Sequence, residues 1–106
     1  MSAEESSNEP RMHSRVNTGR VQPDQIDELV AATRPILPRA RQEAPDLKSV
    51  LMLGDRSTGK LVMVSVWETE AGAEAAEPFY QHAMQELGRF ITEPPTRERY
   101  EVLLQG

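Results

Sequence analysis

The chain has 106 residues and a formal net charge of -5 at pH 7, without a cluster of Lys and Arg. The length fits one domain with one core, and the acidic balance argues against nucleic acid or an acidic membrane surface as a partner. The absence of cysteine excludes disulfides, thiolate catalysis and cysteine-ligated metals.

Residues 1–10 are acidic, rich in serine and lack aromatic or branched apolar side chains. Such a segment cannot bury enough surface to offset its ordering entropy, so we predict a disordered tail over 1–10 and a folded domain over 11–106. No apolar run reaches about 18 residues, and we expect neither a signal peptide nor a membrane span. The expected location is the cytoplasm.

The first third of the chain predicts a strand followed by a helix. Polar and apolar residues alternate over 11–18, which is typical of a strand. Pro23 and Asp24 predict a helix start, because proline is tolerated in the first turn and an acidic side chain favours the helix dipole there. Pro35 and Pro38 are expected to kink or break this helix.

Two apolar runs, 47–53 and 60–67, flank a turn-rich segment and predict a β-hairpin. The second run is apolar on both faces. Alternation places the valines on one face and a Leu-Met-Trp set on the other, namely Val62, Val64 and Val66 against Leu61, Met63 and Trp67. An antiparallel strand with one wet face does not have this composition, so both faces are expected to be covered.

The turn sequence Gly-Asp-Arg-Ser-Thr-Gly-Lys over 54–60 satisfies most of the phosphate-loop pattern. Leu61 replaces the Ser or Thr that binds magnesium, and a strand follows where a helix must begin, which disfavours a phosphate site. Asp55 can accept hydrogen bonds from local amides and Gly59 can adopt a positive φ. We therefore predict an ordinary hairpin turn.

The last third predicts a helical region and a final strand. Thr69 is a good N-cap, and the helix after it is expected to break near Pro78, where a new helical turn starts. From Phe79 onward, apolar residues recur at helical spacing and predict the best-defined helix. Residues 93–96 predict an extended linker, and alternation over 99–104 predicts the last strand.

This order predicts an α+β, ferredoxin-like β-α-β-β-α-β fold, with a four-stranded antiparallel sheet and its helices on one face. The first and third strands are expected at the centre, parallel to each other and joined by right-handed crossovers. Two helices cover one face only. The other face, carrying either the valines or the Leu-Met-Trp set, predicts a homodimer in which an identical sheet packs there.

Three segments carry a family resemblance. The turn 55–60, the strand end Val-Trp-Glu-Thr-Glu over 66–70 and the connector 37–47 together resemble the antibiotic biosynthesis monooxygenase (ABM) domain family of the dimeric α/β-barrel superfamily. Asp46 departs from the glycine that is usual there. The likeness spans about 11–104 and implies that two sheets pair as a dimeric α/β barrel. It implies no single activity, because the family includes cofactor-independent oxygenases of aromatic polyketides and quinols, haem-degrading enzymes and proteins without a known reaction.

A polar row lies on one face of the first strand: His13, Arg15 and Asn17. We interpret this row as the lining of a pocket between sheet and helices; alternatively it lines the dimer barrel or pairs with Glu98 or Glu101. Substrate-binding candidates share either a polar tip or an adaptable apolar surface, although each can also be ordinary core or surface. They are Arg15, Asn17, Trp67, Tyr80, Tyr100, Met63 and Phe79.

The first functional hypothesis is a protein that binds a hydrophobic, aromatic small molecule and oxygenates it without metal or flavin. Such a reaction needs a base, an anion partner and a dry cavity. The candidates are His13 or His82 as the base, Arg15 or Asn17 as the anion partner, and Tyr80 or Tyr100 as the orienting donor. The alternative is a non-enzymatic ligand-binding or stress-associated protein, so enzyme activity is left open.

A haem-degrading enzyme is a further alternative. The resemblance implies a helix histidine as iron ligand and an asparagine on the first strand, to which His82 and Asn17 correspond loosely. The same helix lacks the tryptophan of those relatives, and Trp67 ends a strand instead, which disfavours haem chemistry. No ligand spacing predicts a metal site, and we expect no cofactor.

Overall fold

Four strands and four α-helices build residues 11–106, the part of the chain that the computed structural model describes. The predicted disordered tail lies outside the described residues. In chain order the elements are β1 (His13–Arg20), α1 (Ile26–Thr33), α2 (Ile36–Glu43), β2 (Leu47–Gly54), β3 (Lys60–Trp67), α3 (Glu70–Ala75), α4 (Glu77–Leu87) and β4 (Thr96–Glu101). Short 3₁₀ turns at Pro23–Gln25 and Gly88–Phe90 precede α1 and follow α4.

The strands form one sheet in the order β2-β3-β1-β4, and every neighbouring pair is antiparallel. With the helices on one face, this is the predicted α+β ferredoxin-like fold. β1 and β3 are central as expected, but the prediction that they run parallel is wrong. The helical crossover makes β1 and β2 parallel to each other, and the hairpin then reverses the chain. β3 enters between them and is antiparallel to both.

Proline divides the helical regions near the predicted places. α1 ends at Thr33 and α2 begins at Ile36, because Pro35 has no amide hydrogen to continue the α1 ladder. Pro38 does not break α2, since it lies in the first turn, where amides have no partner within the helix. Pro78 similarly occupies the first turn of α4.

Strand limits differ from the sequence prediction at both ends of the sheet. β1 continues through Gly19, and β4 spans Thr96–Glu101 rather than 99–104. The ladder between β1 and β4 runs from the Thr18–Thr96 pair to the His13–Glu101 pair. β4 therefore ends where β1 begins, and alternation along β4 alone cannot reveal this limit.

The hairpin turn matches its prediction. Asp55 Oδ1 accepts hydrogen bonds from the Ser57 amide at 2.9 Å and the Thr58 amide at 3.4 Å. Gly59 has φ of 79°, and a Cβ there would collide with the carbonyl oxygen of Val21. The turn is thus held by its own side chains, and β3 follows it directly.

The two faces of β3 have different surroundings. Leu61, Met63 and Trp67 face the helices, and Leu61 and Trp67 are buried. The valine set of β3 lies on the opposite, open face, where neighbouring strands leave large apolar side chains in solvent. Leu51 is 59% exposed and Leu53 48% exposed. The open face is therefore the valine face.

Between the sheet and the helices lie two clusters of buried apolar side chains. One joins α1, the start of α2 and the end of α4 to the sheet, with Leu29 as the most deeply buried side chain. The other centres on Trp67 and the alanines of α2 and α3 that pack against it. Among residues 11–106, no helix is both long enough and apolar enough to cross a membrane.

Candidate functional site

A cavity of about 170 Å³ lies between the sheet and the helices. β1, β2 and β3 form one wall, and α1, α2 and α4 form the other. The walls are mostly apolar because alternate positions of β3 and one face of α4 both point inward. Representative wall residues are Leu29, Ile36, Leu61, Met63, Met84 and Leu87.

Four polar side chains interrupt this apolar wall: Asn17, Thr33, Ser65 and Tyr80. Thr33 Oγ1 donates to the Leu29 carbonyl at 2.8 Å, and Ser65 Oγ accepts from Trp67 Nε1 at 2.9 Å. Within residues 11–106, no hydrogen bond is found for the side-chain amide of Asn17 or for the Tyr80 hydroxyl. These two groups can therefore bind polar atoms of a ligand.

Tyr80 is held by a cation above its ring. The guanidinium carbon of Arg97 lies 3.9 Å from the ring centroid, a close cation–π contact. Burial raises the pKa of the Tyr80 hydroxyl above its ordinary value. The hydroxyl consequently stays protonated at neutral pH and can donate a hydrogen bond.

Arg97 is itself fixed by Glu77. Its Nη1 and Nη2 donate to the two carboxylate oxygens of Glu77 at 2.8 and 2.7 Å. These bonds lower the pKa of Glu77 from 4.5 to about 2, so the carboxylate is ionised at neutral pH. The pair connects β4 to the first turn of α4 and sets the position of the Tyr80 ring.

The predicted polar row lies on the helix-facing side of β1. His13, Arg15 and Asn17 stand opposite Trp67, Ser65 and Met63 of β3, respectively. Only Asn17 of the row lines the cavity.

The other two members of the row have different surroundings. His13 Nε2 lies 3.6 Å from Glu70 Oε2. Glu101 stands opposite His13 in the ladder, but within 11–106 no ion pair joins His13 to Glu98 or Glu101. The Arg15 side chain is half-buried. No ion pair or side-chain hydrogen bond to its guanidinium is found within 11–106.

The other predicted candidates are divided between the cavity and other regions. Met63, Trp67 and Tyr80 line the cavity. Phe79 packs against both apolar clusters but is not part of the cavity wall. Tyr100 lies on the open face and donates to Glu98 Oε2 at 2.5 Å.

His82 is exposed on α4 and does not line the cavity. Tyr80, Ala83, Met84 and Leu87 face the cavity from this helix. His82 is two positions from Tyr80, about 200° around the helix axis, so it points away. No histidine therefore belongs to the cavity wall that the described residues form.

Sequence reasoning missed two contributors to the site. Ser65 lies within a run that the sequence presents as apolar, and Arg97 lies before the predicted last strand. Arg97 stands opposite Asn17 in the ladder between β1 and β4, so correct strand limits would have placed it beside the row. Among the described residues, no group of three His, Asp or Glu side chains is arranged to hold a metal ion.

Fold and cavity together define a ferredoxin-like α+β protein with an apolar chamber on the helix side of its sheet. Among solved structures, the fold matches the monooxygenase from the gene ActVA-Orf6 of Streptomyces coelicolor, solved in complex with Nanaomycin D. The two are 18% identical, with a TM-score of 0.71 over 91% of this chain and 94% of that chain.

It also matches a provisionally named antibiotic biosynthesis monooxygenase from Bordetella bronchiseptica. That structure is 18% identical, with a TM-score of 0.72 over 89% of this chain and 99% of that chain. One from Caulobacter crescentus, also provisionally named, is 13% identical, with a TM-score of 0.74 over 97% of this chain and 100% of that chain.

The resemblance to ABM proteins inferred from the sequence is thereby confirmed at the level of the fold. No protein-family model matches the sequence, and no curated protein matches it either. Identities this low show a shared fold and leave the reaction to be argued from the site.

Proposed function

We propose that the protein binds a compact aromatic molecule with a phenolic oxygen in the cavity between sheet and helices. The observation that carries this proposal is the cavity itself: about 170 Å³ with mostly apolar walls and two polar groups that lack partners within 11–106. A dry apolar cavity of about 150 Å³ accommodates benzene. One ring therefore fits inside, and a second ring extends toward the mouth.

The two polar groups suit a phenolic oxygen. The Tyr80 hydroxyl can donate to it, and the Asn17 amide can either donate to the oxygen or accept its proton in a hydrogen bond. Met63 and Met84 are flexible side chains that can adjust the apolar wall to the ring. Orientation thus comes from the polar pair, and affinity comes from apolar burial.

Oxygenation of this ligand is the second candidate function, supported by the shared fold with the Streptomyces coelicolor monooxygenase. A naphthalene-type quinol supplies all four electrons: one atom of O₂ enters the ring, and the other leaves as water. The quinol must first lose a proton to give an electron-rich anion. His13 and His82 remain the candidate bases, yet neither lines the cavity, so ligand binding is the function that the geometry supports best.

A second copy of the chain is proposed to cover the open face. Val64 stands between Val16 of β1 and Leu51 of β2, which gives an apolar row across three strands. Patches of this kind on a monomer usually mark an interface. Packing two such faces about a two-fold axis buries both, and it leaves each cavity on the outer, helix-covered side.

Binding is tested by fluorescence titration with 2-naphthol. Ala83→Phe fills the cavity from α4 and is expected to abolish saturable binding. Gln85→Phe places the same ring on the exposed side of the same helix and is the matched control. Wild-type protein that shows no saturable binding of phenol, 2-naphthol or 1,4-dihydroxynaphthalene would refute the proposal.

Oxygenation is tested separately by oxygen uptake with 1,4-dihydroxynaphthalene, measured against the uncatalysed rate. His13→Ala and His82→Ala are compared with wild type. An enzyme that uses either base loses uptake in that variant while it keeps 2-naphthol binding. Uptake no faster than the uncatalysed reaction would favour the non-enzymatic binding protein.

A further inference from the structure

Arg15 differs from the other arginines of the chain. Its side chain is half-buried, whereas those of the nine others are exposed. Two arginines of β4 share its side of the sheet, and both are paired: Arg97 with Glu77 at 2.7 Å and Arg99 with Glu74 at 3.6 Å. No partner for the Arg15 guanidinium is found within 11–106. A partly desolvated cation without a counter-ion is costly, and a bound anion removes that cost.

Arg15 does not line the cavity itself but is adjacent to two residues that do. Asn17 is two residues further along the same face of β1, and Ser65 stands directly opposite Arg15 on β3. Both of these neighbours line the cavity. A ligand that reaches the Asn17 amide therefore comes within about 7 Å of the Arg15 backbone, a span that the long arginine side chain covers.

Carboxylates that α3 and α4 carry near this end of the sheet have other partners. Both oxygens of Glu77 accept from Arg97, and Arg15 adds only a weak attraction to the lowering of the Glu77 pKa. Glu74 pairs with Arg99, and Glu70 lies beside His13. Glu77 and Glu74 are thus each paired with another arginine, and Glu70 lies beside His13, which leaves the charge of Arg15 available to a ligand.

We infer that the ligand is an aromatic hydroxycarboxylate whose carboxylate is bound by Arg15. This inference rests on the proposed binding of a phenolic ring in the cavity and adds the anionic group to it. When the carboxylate is ortho to the hydroxyl, the hydroxyl can bind Asn17 and the carboxylate can bind Arg15. The ring then lies inside the cavity, against its apolar wall. The planar guanidinium fork matches a carboxylate through two parallel hydrogen bonds.

The test compares two probes that differ only in the carboxylate: 2-naphthol and 3-hydroxy-2-naphthoate. Wild-type protein is expected to bind the naphthoate at least about tenfold more tightly, because charge-assisted hydrogen bonds are among the stronger polar contacts. Arg15→Gln is expected to abolish this advantage, measured as the ratio of the two dissociation constants in the same variant. Arg41→Gln, which removes an exposed charge on α2 and disturbs no ion pair found within 11–106, is the control and keeps the advantage.

The outcomes separate the two proposals. If 2-naphthol binds and the naphthoate has no advantage, the anion inference is wrong while the proposed function stands. If neither probe binds, the proposed function fails, and the inference fails with it. Should Arg15→Gln not fold, Arg15→Lys keeps the charge without the fork and is expected to retain only part of the advantage. Equal loss of naphthoate affinity in Arg15→Gln and Arg41→Gln would assign the effect to general charge and overturn the inference.

Discussion

Arg97 donates two hydrogen bonds to Glu77, at 2.8 and 2.7 Å, and so joins the edge strand β4 to the first turn of α4. The same guanidinium covers the ring of Tyr80. One side chain therefore connects the sheet edge, the cavity helix and a polar group of the cavity. Loss of this ion pair is expected to lower the stability of the fold in a pH-dependent way and to weaken ligand binding through the position of Tyr80.

The ion pair predicts a specific pH dependence. The folded-state pKa of Glu77 is lowered from 4.5 to about 2, so its stabilising effect is present above pH 4.5 and is lost as the pH falls toward 2. The Arg97 and Glu77 side chains are 38% and 44% exposed, so solvent screens the ion pair and limits its contribution to the free energy of unfolding to about 1 kcal/mol. Glu77→Gln should lower the free energy of unfolding by this amount at pH 7, measured by urea denaturation.

The check is to repeat the urea denaturation of wild type and Glu77→Gln at decreasing pH. The difference from wild type should shrink below pH 4.5 and vanish near pH 2. Glu86→Gln on the same helix is the control, since its carboxylate accepts one hydrogen bond from Arg39 at 3.0 Å. A Glu77→Gln deficit that stays constant from pH 7 to the acid limit of the native state would contradict the assignment.

Tyr80→Phe removes one hydroxyl from the cavity wall and keeps the ring. A neutral hydrogen bond contributes about 1 kcal/mol, so 2-naphthol affinity should fall about fivefold. Tyr100→Phe is the matched control, because Tyr100 lies on the open face and is 50% exposed. Similar affinity loss in both variants would show that the Tyr80 hydroxyl does not contact the ligand.

Val64→Lys tests the proposed dimer. The substitution places a charge at the centre of the open face, between Val16 and Leu51, and burying that charge in an interface is unfavourable. Sedimentation equilibrium should give twice the chain mass of 11.9 kDa for wild type and the monomer mass for the variant. Gln85→Lys on the exposed side of α4 should remain dimeric. A monomeric wild-type protein at micromolar concentration would refute the dimer.

Gly59→Ala tests the hairpin turn. Gly59 has φ of 79°, and an added Cβ would meet the Val21 carbonyl, so we expect a loss of about 2 kcal/mol in the free energy of unfolding. Gly88→Ala is the control, because a Cβ there meets nothing within 4 Å. Urea denaturation should show Gly88→Ala at or slightly above wild-type stability. Equal stability of both variants would contradict the turn assignment.

Local signals predicted the helices well. Pro35 separates α1 from α2 by removing an amide donor, and Thr69 caps α3 by accepting from the Gly72 amide at 2.9 Å. Both effects act within a few residues and are visible in the sequence. The limits of β4 depend on where β1 begins, a relationship between distant segments, and alternation could not supply it.

The candidate site was predictable in part for the same reason. Alternation correctly placed His13, Arg15 and Asn17 on one face, because side-chain direction in a strand is a local property. Which of them reaches the cavity depends on how α3 and α4 pack above the sheet. The sequence does show which residues of α4 share a face. His82 is two positions after Tyr80, about 200° around the helix, and therefore points away from the cavity.

The cavity and the open face are produced by alternate residues of the same strand. Met63 and Ser65 line the cavity, while Val62, Val64 and Val66 occupy the opposite face. Inserting a single residue at the start of β3 would exchange the two sets, sending valines into the chamber and Met63 and Ser65 to the outside. The register of β3 therefore determines both ligand binding on one side of the sheet and the proposed self-association on the other.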